Sequence, residues 1–309
     1  MARLGMLQRP TAWQPCMTPR RFLAKVFRRI AYEIDHTLFD QAAPSAEQPS
    51  PPSNHTMTLK EGFDPLAVPL RDNKLSGWFN EEKHELYPGF PIGPDDVLAD
   101  IGCGTGMHAR FCADHGAHAI LVEANEAKLN VARARWAPDD SRVETHLHSA
   151  IPFPIADGRC TRVICNEVLE HVEDTAAFLA ELVRIGAPGA RYLICVPAPF
   201  SERVLKNIAH PSYFEPPNHI RIIEPDDFQQ MVASAGLIVE SMSSYGAYWA
   251  IWWWLWWCDP QPSIAPRHPV LDHLAFAWNS LLDSQSGPHI KKALDRCLPK
   301  SQVIVARKP

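Results

Sequence analysis

Three glycines within five positions, in Asp100-Ile101-Gly102-Cys103-Gly104-Thr105-Gly106, constrain this chain more than any other stretch. The apolar run Val97-Leu98-Ala99 before them reads as a buried strand, and residues 107–112 after them have helical composition. A strand, a glycine turn and a helix in succession make a corner for a nucleotide-like ligand. Glycine lets the backbone turn tightly and come close to the ligand, and the helix start offers N–H groups that no helical carbonyl uses. Side chains at those positions would block the approach.

The spacing selects among ligands. A dinucleotide fold needs G-x-G-x-x-G, whose third glycine permits close packing over a pyrophosphate. Here Gly106 arrives one residue early, Met107 stands where that pattern needs glycine, and no P-loop lysine follows. A second apolar strand, Ala119-Ile120-Leu121-Val122, closes on Glu123, nineteen residues beyond Gly104. A carboxylate there can accept both hydroxyls of a ribose and repels a 2′-phosphate.

These residues resemble the class I S-adenosylmethionine-dependent methyltransferases, specifically the type 11, ubiquinone-pathway-like group. The glycine turn is similar to the group's first motif and Glu123 to its ribose acid. Ile151-Pro152-Phe153-Pro154 is similar to its L-P-F segment, and Asn166-Glu167-Val168-Leu169-Glu170-His171-Val172 to the E-V-L-E-H-V after its fourth strand. Four motifs in family order, across about residues 75–245 plus the last strand, make the resemblance specific. It implies an α/β fold, a Rossmann-like seven-stranded, mostly parallel sheet with helices on both faces and the last strand antiparallel. It also implies S-adenosyl-L-methionine as cofactor, held by Asp100, Gly102, Cys103, Gly104, Gly106, Glu123, Ala124, Asn166 and Glu167. The expected reaction moves a methyl group to an O or N atom of a small or lipid-linked acceptor. A methyltransferase-like scaffold without catalysis is the alternative from another class, and the intact glycine turn and Glu123 weigh against it. An NAD-dependent oxidoreductase is disfavoured by the glycine spacing.

Further strands are expected at residues 142–147, 162–166, 191–196, 237–242 and 302–306, and helices at 125–136, 174–186 and 225–235. Asp174 reads as an N-cap and Gly236 as a C-cap. The aromatics Trp78, Phe79, Tyr87 and Phe90 read equally as a flap over the cofactor or as packing on the sheet. After the third strand the family usually places an acid for adenine, whereas this chain has His146-Leu147-His148-Ser149, so backbone amides are expected to serve there. Eight cysteines without a C-x-x-C pair fit reduced core thiols and a cytoplasmic protein, and residues 1–10 lack the apolar run of a secretory signal. Residues 1–57 hold seven Lys/Arg against four Asp/Glu, leaving twenty-three against thirty-one, which argues against nucleic acid as a partner.

Methyl transfer asks mainly for placement, because the sulfonium is already activated. A base is needed only when the acceptor must lose a proton, and near neutral pH histidine suits that task. His219 lies in a long segment after the fifth expected strand, read as structureless to about residue 224, and His171 lies in the E-V-L-E-H-V motif. Tyr213, Asn218 and Arg221 share the long segment and suit a substrate wall; the bland reading of His219 is a hydrogen bond that pins the loop. Glu167, Glu170 and His171 resemble the metal-ligand set proposed for ubiquinone-pathway O-methyltransferases. The same letters occur in relatives that use no metal, so none is expected.

Residues 1–57 divide into a basic amphipathic helix at 20–34 and a Pro- and Ser-rich linker, residues 58–245 into the methyltransferase core, and 301–309 into the last strand. Between these lies a helical insertion at 246–300 that contains Trp249, Trp252, Trp253, Trp256 and Trp257 at helical spacing on one stripe. Its apolar run of twelve residues would make about 18 Å of helix, while a bilayer takes ~20 residues. The run therefore reads as a peripheral membrane contact at the inner face, helped by the basic helix, or with nearly equal weight as a cap over the substrate crevice.

Overall fold

The computed structural model describes residues 63–258 and 269–309. The expected basic helix at 20–34 and its linker lie outside the described residues. Among the rest, β3 (Val97–Ile101), β4 (His118–Glu123), β5 (Val143–Leu147), β6 (Cys160–Asn166), β7 (Gly186–Pro197), β8 (Ile238–Tyr245) and β9 (Ser301–Arg307) form one sheet in the order β5-β4-β3-β6-β7-β9-β8. The strands β5, β4, β3, β6 and β7 pair in parallel, and β9 runs antiparallel to both β7 and β8. Parallel strands are covered on both faces and so read as near-continuous apolar runs, as in Ala-Ile-Leu-Val of β4.

Each face carries its own core. On one side α4 (Thr175–Ile185) and α6 (Pro225–Ser234) bury Phe178, Leu182, Phe228 and Val232 against Val163, Ile194 and Ile304. On the other, α2 (Met107–Asp114) and α3 (Glu126–Arg133) bury Phe111, Cys112 and Leu129 with the hairpin β1 (Glu85–Tyr87) and β2 (Phe90–Pro91). Asp174 caps α4 by accepting the Ala177 N–H at 2.9 Å. From β3 the chain winds outward through β4 to β5, then returns to β6 on the other side of β3. That reversal opens a crevice at the carboxyl ends of β3 and β6, where open α/β sheets bind ligands.

Two elements depart from the sequence reading or complete it. The segment after β7 is not structureless, because α5 (Pro199–Ile208) starts on Pro199 at its first turn. Proline there loses no helical hydrogen bond and has its φ already set, so it begins a helix instead of breaking one. Between β8 and β9 stand α7 (Ala247–Cys258), α8 (Pro269–Asp283) and α9 (Gly287–Cys297), which build a third apolar cluster with α1 (Ala67–Leu75). Within the tryptophan stripe Trp249, Trp252, Trp253 and Trp257 are buried, so the stripe packs inward.

Polar contacts fix that cluster in place. Asp295 Oδ1 accepts the N–H groups of Gly246 and Ala247 at 3.1 and 3.0 Å, capping α7 from α9. Lys291 Nζ donates to Asp295 Oδ2 at 2.5 Å and to Ser76 Oγ at 2.7 Å, and lies 3.4 Å from Asp72 Oδ1. Trp278 Nε1 donates to Asp72 at 2.8 Å, and Trp249 Nε1 to Asn73 Oδ1 at 3.3 Å. The insertion thereby holds α1 across the mouth of the crevice.

Candidate active site

The glycine turn is shaped by left-handed backbone. Gly102 and Gly104 sit at φ 73° and 57°, where a side chain costs roughly 1–2 kcal/mol. A Cβ on Gly102 would also stand 2.4 Å from Val168 Cγ2. The N–H groups of Gly102 and Cys103 donate to Val122 O at 2.8 and 3.1 Å, which ties the turn to β4. Glu123 closes the corner: its Oε2 accepts the Gly104 N–H at 2.8 Å and its Oε1 the Asn125 N–H at 2.9 Å. A carboxylate has about four lone-pair sites, so two remain for a diol.

This turn lines one end of a cavity of about 840 Å³. Of the expected cofactor residues, Gly102, Gly104, Glu123, Ala124, Asn166 and Glu167 line it, and Asp100, Cys103 and Gly106 do not. Those three stand behind the turn. Asp100 is buried with one oxygen lacking a hydrogen-bond partner among the described residues, and burial pushes its carboxyl up to about 7. Burial likewise raises the Cys103 thiol well above its usual value. At Gly106 a Cβ would meet Ala132 at 3.0 Å, so that glycine serves the packing of α2 on α3. At the adenine end His148, Ser149 and Ala150 line the cavity, and Lys128 of α3, not singled out by motif, joins them.

The far end is aromatic and apolar. Trp78 and Phe79 line it with His108, whose ring stacks on both. Tyr87 and Phe90 are core residues, so the two readings of that aromatic stretch divide between its halves. Pro69, Leu70 and Asn73 of α1 and Trp249 and Trp253 of α7 form the roof. These roof residues belong to no motif: Trp249 and Trp253 were legible only as helical periodicity, and α1 was not read from the sequence at all.

The two histidines differ in placement. His171 lines the cavity; its Nδ1–H donates to Pro217 O at 3.2 Å, and burial, with the His219 charge second, lowers it to about 3. His219 does not line the cavity. Its Nδ1 meets Glu202 Oε2 at 2.7 Å; burial alone would lower this imidazole, but the Glu202 carboxylate outweighs burial and raises it. Glu202, on the unexpected helix α5, had no sequence signal. Tyr213, Asn218 and Arg221 do not line the cavity either. Tyr213 Oη donates to Glu202, Asn218 Nδ2 to Ser212 O at 2.8 Å, and Arg221 to Glu173 O at 2.7 Å, so all three brace the loop.

Glu170, His171 and His219 bring one ligand atom each within 4.8 Å of one another. Glu167, the other acid of the motif, points elsewhere: Lys300 Nζ and Ser301 Oγ donate to its two oxygens. Neither oxygen of Glu170 has a hydrogen-bond partner among the described residues, and burial, with Glu167 second, pushes its carboxyl up to about 8.

The site residues fit S-adenosylmethionine. Two glycines remove the side chains that would fill the turn, Glu123 keeps acceptor sites for a ribose, and the buried Asn166 Oδ1 lacks a partner among the described residues. Comparison with known proteins agrees. A methyltransferase-domain family profile matches residues 70–242. Ubiquinone biosynthesis O-methyltransferases of Thiobacillus denitrificans and Hahella chejuensis are 30% and 33% identical over 50% and 43% of this chain, covering 68% and 62% of those relatives. A Mycolicibacterium smegmatis protein named as a probable S-adenosylmethionine-dependent methyltransferase is 28% identical over 57% of this chain and 68% of its own length. This chain thus spans about two thirds of each relative. The profile covers more than half of the chain, including the glycine turn, Glu123 and the turn after β6, and the chain belongs to the methyltransferase-domain family.

Proposed function

We propose that this S-adenosylmethionine-dependent methyltransferase methylates an O or N atom of a small, mainly apolar acceptor, including one that is lipid-linked. One observation carries the reading: the cavity is continuous from the glycine turn and Glu123 to the aromatic walls of Trp78, Trp249 and Trp253. Bound S-adenosylmethionine supplies an activated methyl group. The chain then has to orient the acceptor and exclude water, which the α1 and α7 roof favours. Gly102, Gly104, Glu123, Ala124 and Asn166 would hold the cofactor directly, with Asp100, Cys103 and Gly106 shaping the turn, while Glu167, expected with them, is paired with Lys300 and would serve the acceptor end instead.

For proton removal, His171 has access to the cavity, but a group lowered to about 3 is a weak base near neutral pH. His219 has the higher affinity for a proton, yet its pairing with Glu202 turns it away. Tyr213, Asn218 and Arg221 would shape the acceptor end through the loop they brace. Relatives named for ubiquinone and tocopherol O-methylation support an acceptor of modest size.

Peripheral membrane contact at the inner face is a narrower part of this proposal. No described helix is long and apolar enough to cross a membrane. Exposed Leu66 just before α1, Leu70 and Leu75 on it, of which Leu70 lines the cavity, and Phe200 of α5 beside Trp254 would support such contact. The test of the main reading is incubation with cell extract and methyl-labelled S-adenosylmethionine, followed by mass spectrometry for a labelled small molecule. Label appearing only on water-soluble polar compounds overturns the apolar acceptor. Liposome flotation of the full chain tests the membrane part, with sedimentation in every lipid mixture as the contrary result.

A further inference from the structure

At the base of the cavity, just beyond the end of β6 and just before the start of β9, with β7 between the two strands, a carboxylate and an ammonium face the same space. Glu167 and Lys300 both line the cavity, and Lys300 Nζ donates to Glu167 Oε2 while Ser301 Oγ donates to Oε1 at 2.8 Å. Their side chains are 20% and 11% exposed, so solvent screening of the pair is limited. Around them the walls are aromatic: Tyr245, Trp249, Trp253 and Trp78.

The backbone holds both residues in place. Glu167 sits at φ 55°, a left-handed conformation that costs a non-glycine residue roughly 1–3 kcal/mol and tends to occur at functional sites. Its N–H donates to Cys195 O at 3.0 Å. Lys300 is clamped by its own backbone, the N–H donating to Tyr245 O at 2.9 Å and the carbonyl accepting the Ala198 N–H at 2.8 Å. It is the last residue of the aromatic insertion, so the segment that roofs the cavity also delivers a cation to it. A partly desolvated ion pair is a poor source of stability. Here Glu167 is held in a strained conformation and Lys300 by two backbone hydrogen bonds, at the aromatic end of a cavity whose other charged lining residues are Glu123, Lys128, Glu173 and Asp174.

We infer that Glu167 and Lys300 together receive an acidic hydroxyl of the acceptor, Glu167 as proton acceptor and Lys300 as the group that holds the oxygen. This rests on the methyl-transfer reading above. The acceptor O–H bond breaks and its proton passes to Glu167; the oxygen bonds to the methyl carbon, and the carbon–sulfur electron pair stays on sulfur. Lys300 stabilises the charge that develops on oxygen during that step. The protonated Glu167 then releases its proton to water. Ser301 orients Glu167 and does not touch the acceptor.

The assignment makes a signed prediction. With S-adenosylhomocysteine bound, the full chain is titrated with 4-nitrophenol, whose phenol and phenolate absorb differently. Lys300→Met removes the cation and keeps the acid beside the probe and should raise its titration midpoint; Glu167→Gln removes the acid and keeps the cation and should lower it, each by roughly one to three pH units relative to wild type. Lys300→Arg should restore the wild-type midpoint closely. A merely structural pair would give no such opposition. Absence of saturable binding to wild type at millimolar probe, or midpoints that move in the same direction or stay put, overturns the inference. Ser301→Ala, which keeps both charges, should weaken probe binding several-fold without moving the midpoint, and serves as the second variant should Lys300→Met unfold. Calorimetry with S-adenosylhomocysteine separates the two readings: tight binding with a failed probe titration rejects only this pair, and no binding rejects methyl transfer itself.

Discussion

Replacing Gly102 by alanine tests how the cofactor corner is built. Two costs are separable. The residue lies at φ 73°, so an L-residue pays a backbone penalty of roughly 1–2 kcal/mol. Its Cβ would stand 2.4 Å from Val168 Cγ2, about 1 Å inside ordinary contact, and relieving such overpacking typically costs about 1–3 kcal/mol. Together they predict a loss of roughly 2–5 kcal/mol in urea unfolding, a large share of the 5–15 kcal/mol that holds an ordinary domain. Removing the obstructing methyls with Val168→Ala should recover the steric part and leave the backbone part. The double variant should therefore be more stable than the sum of the singles by about 1–3 kcal/mol. The measurement is a double-mutant cycle by urea denaturation, with cofactor titration on each folded variant. A Gly102→Ala protein within 0.5 kcal/mol of wild type, or strictly additive effects, would refute both the left-handed turn and its contact with the segment after β6.

Glu123→Ala should weaken S-adenosylhomocysteine binding by about 1.5–3 kcal/mol, since it removes charged acceptors from the ribose and frees the Gly104 N–H; an unchanged dissociation constant in calorimetry would contradict this. His219 is raised above its ordinary 6.5, so its contribution to stability is complete below about 6.5 and falls as pH rises through the higher folded value. Urea midpoints between pH 6 and 9 should show that decline in wild type and lose it in His219→Gln. Trp252→Ala should cost about 3–5 kcal/mol because its side chain is 1% exposed, whereas Trp254→Ala, at the edge of the same helix, should cost markedly less. Equal costs would mean that α7 is not seated as described.

The α/β core was legible from sequence because its signals are local. Apolar runs of strand length, a glycine turn and an Asp174 cap each follow from neighbouring residues, and their order sets the sheet through βαβ connections. Glu123 was found by its distance from Gly104, and the structure joins the two directly. Helix α5 was missed because proline breaks a helix within it but starts one at its first turn, and local sequence does not say which applies at Pro199. Glu202 on that helix turned His219 away from the cavity, a contact across seventeen residues that no spacing encodes. Periodicity likewise found the stripe of Trp249, Trp252, Trp253, Trp256 and Trp257 but not what it faces. That was decided by tertiary contacts such as Trp278 to Asp72, 206 residues apart, and Lys300 to Glu167, 133 apart. The sequence by itself determined the glycine corner and its link to Glu123, whose residues are near neighbours on adjacent strands. The aromatic end of the cavity was decided only by folding, because its roof, His171 and the Glu167–Lys300 pair come from elements that meet after the sheet is assembled.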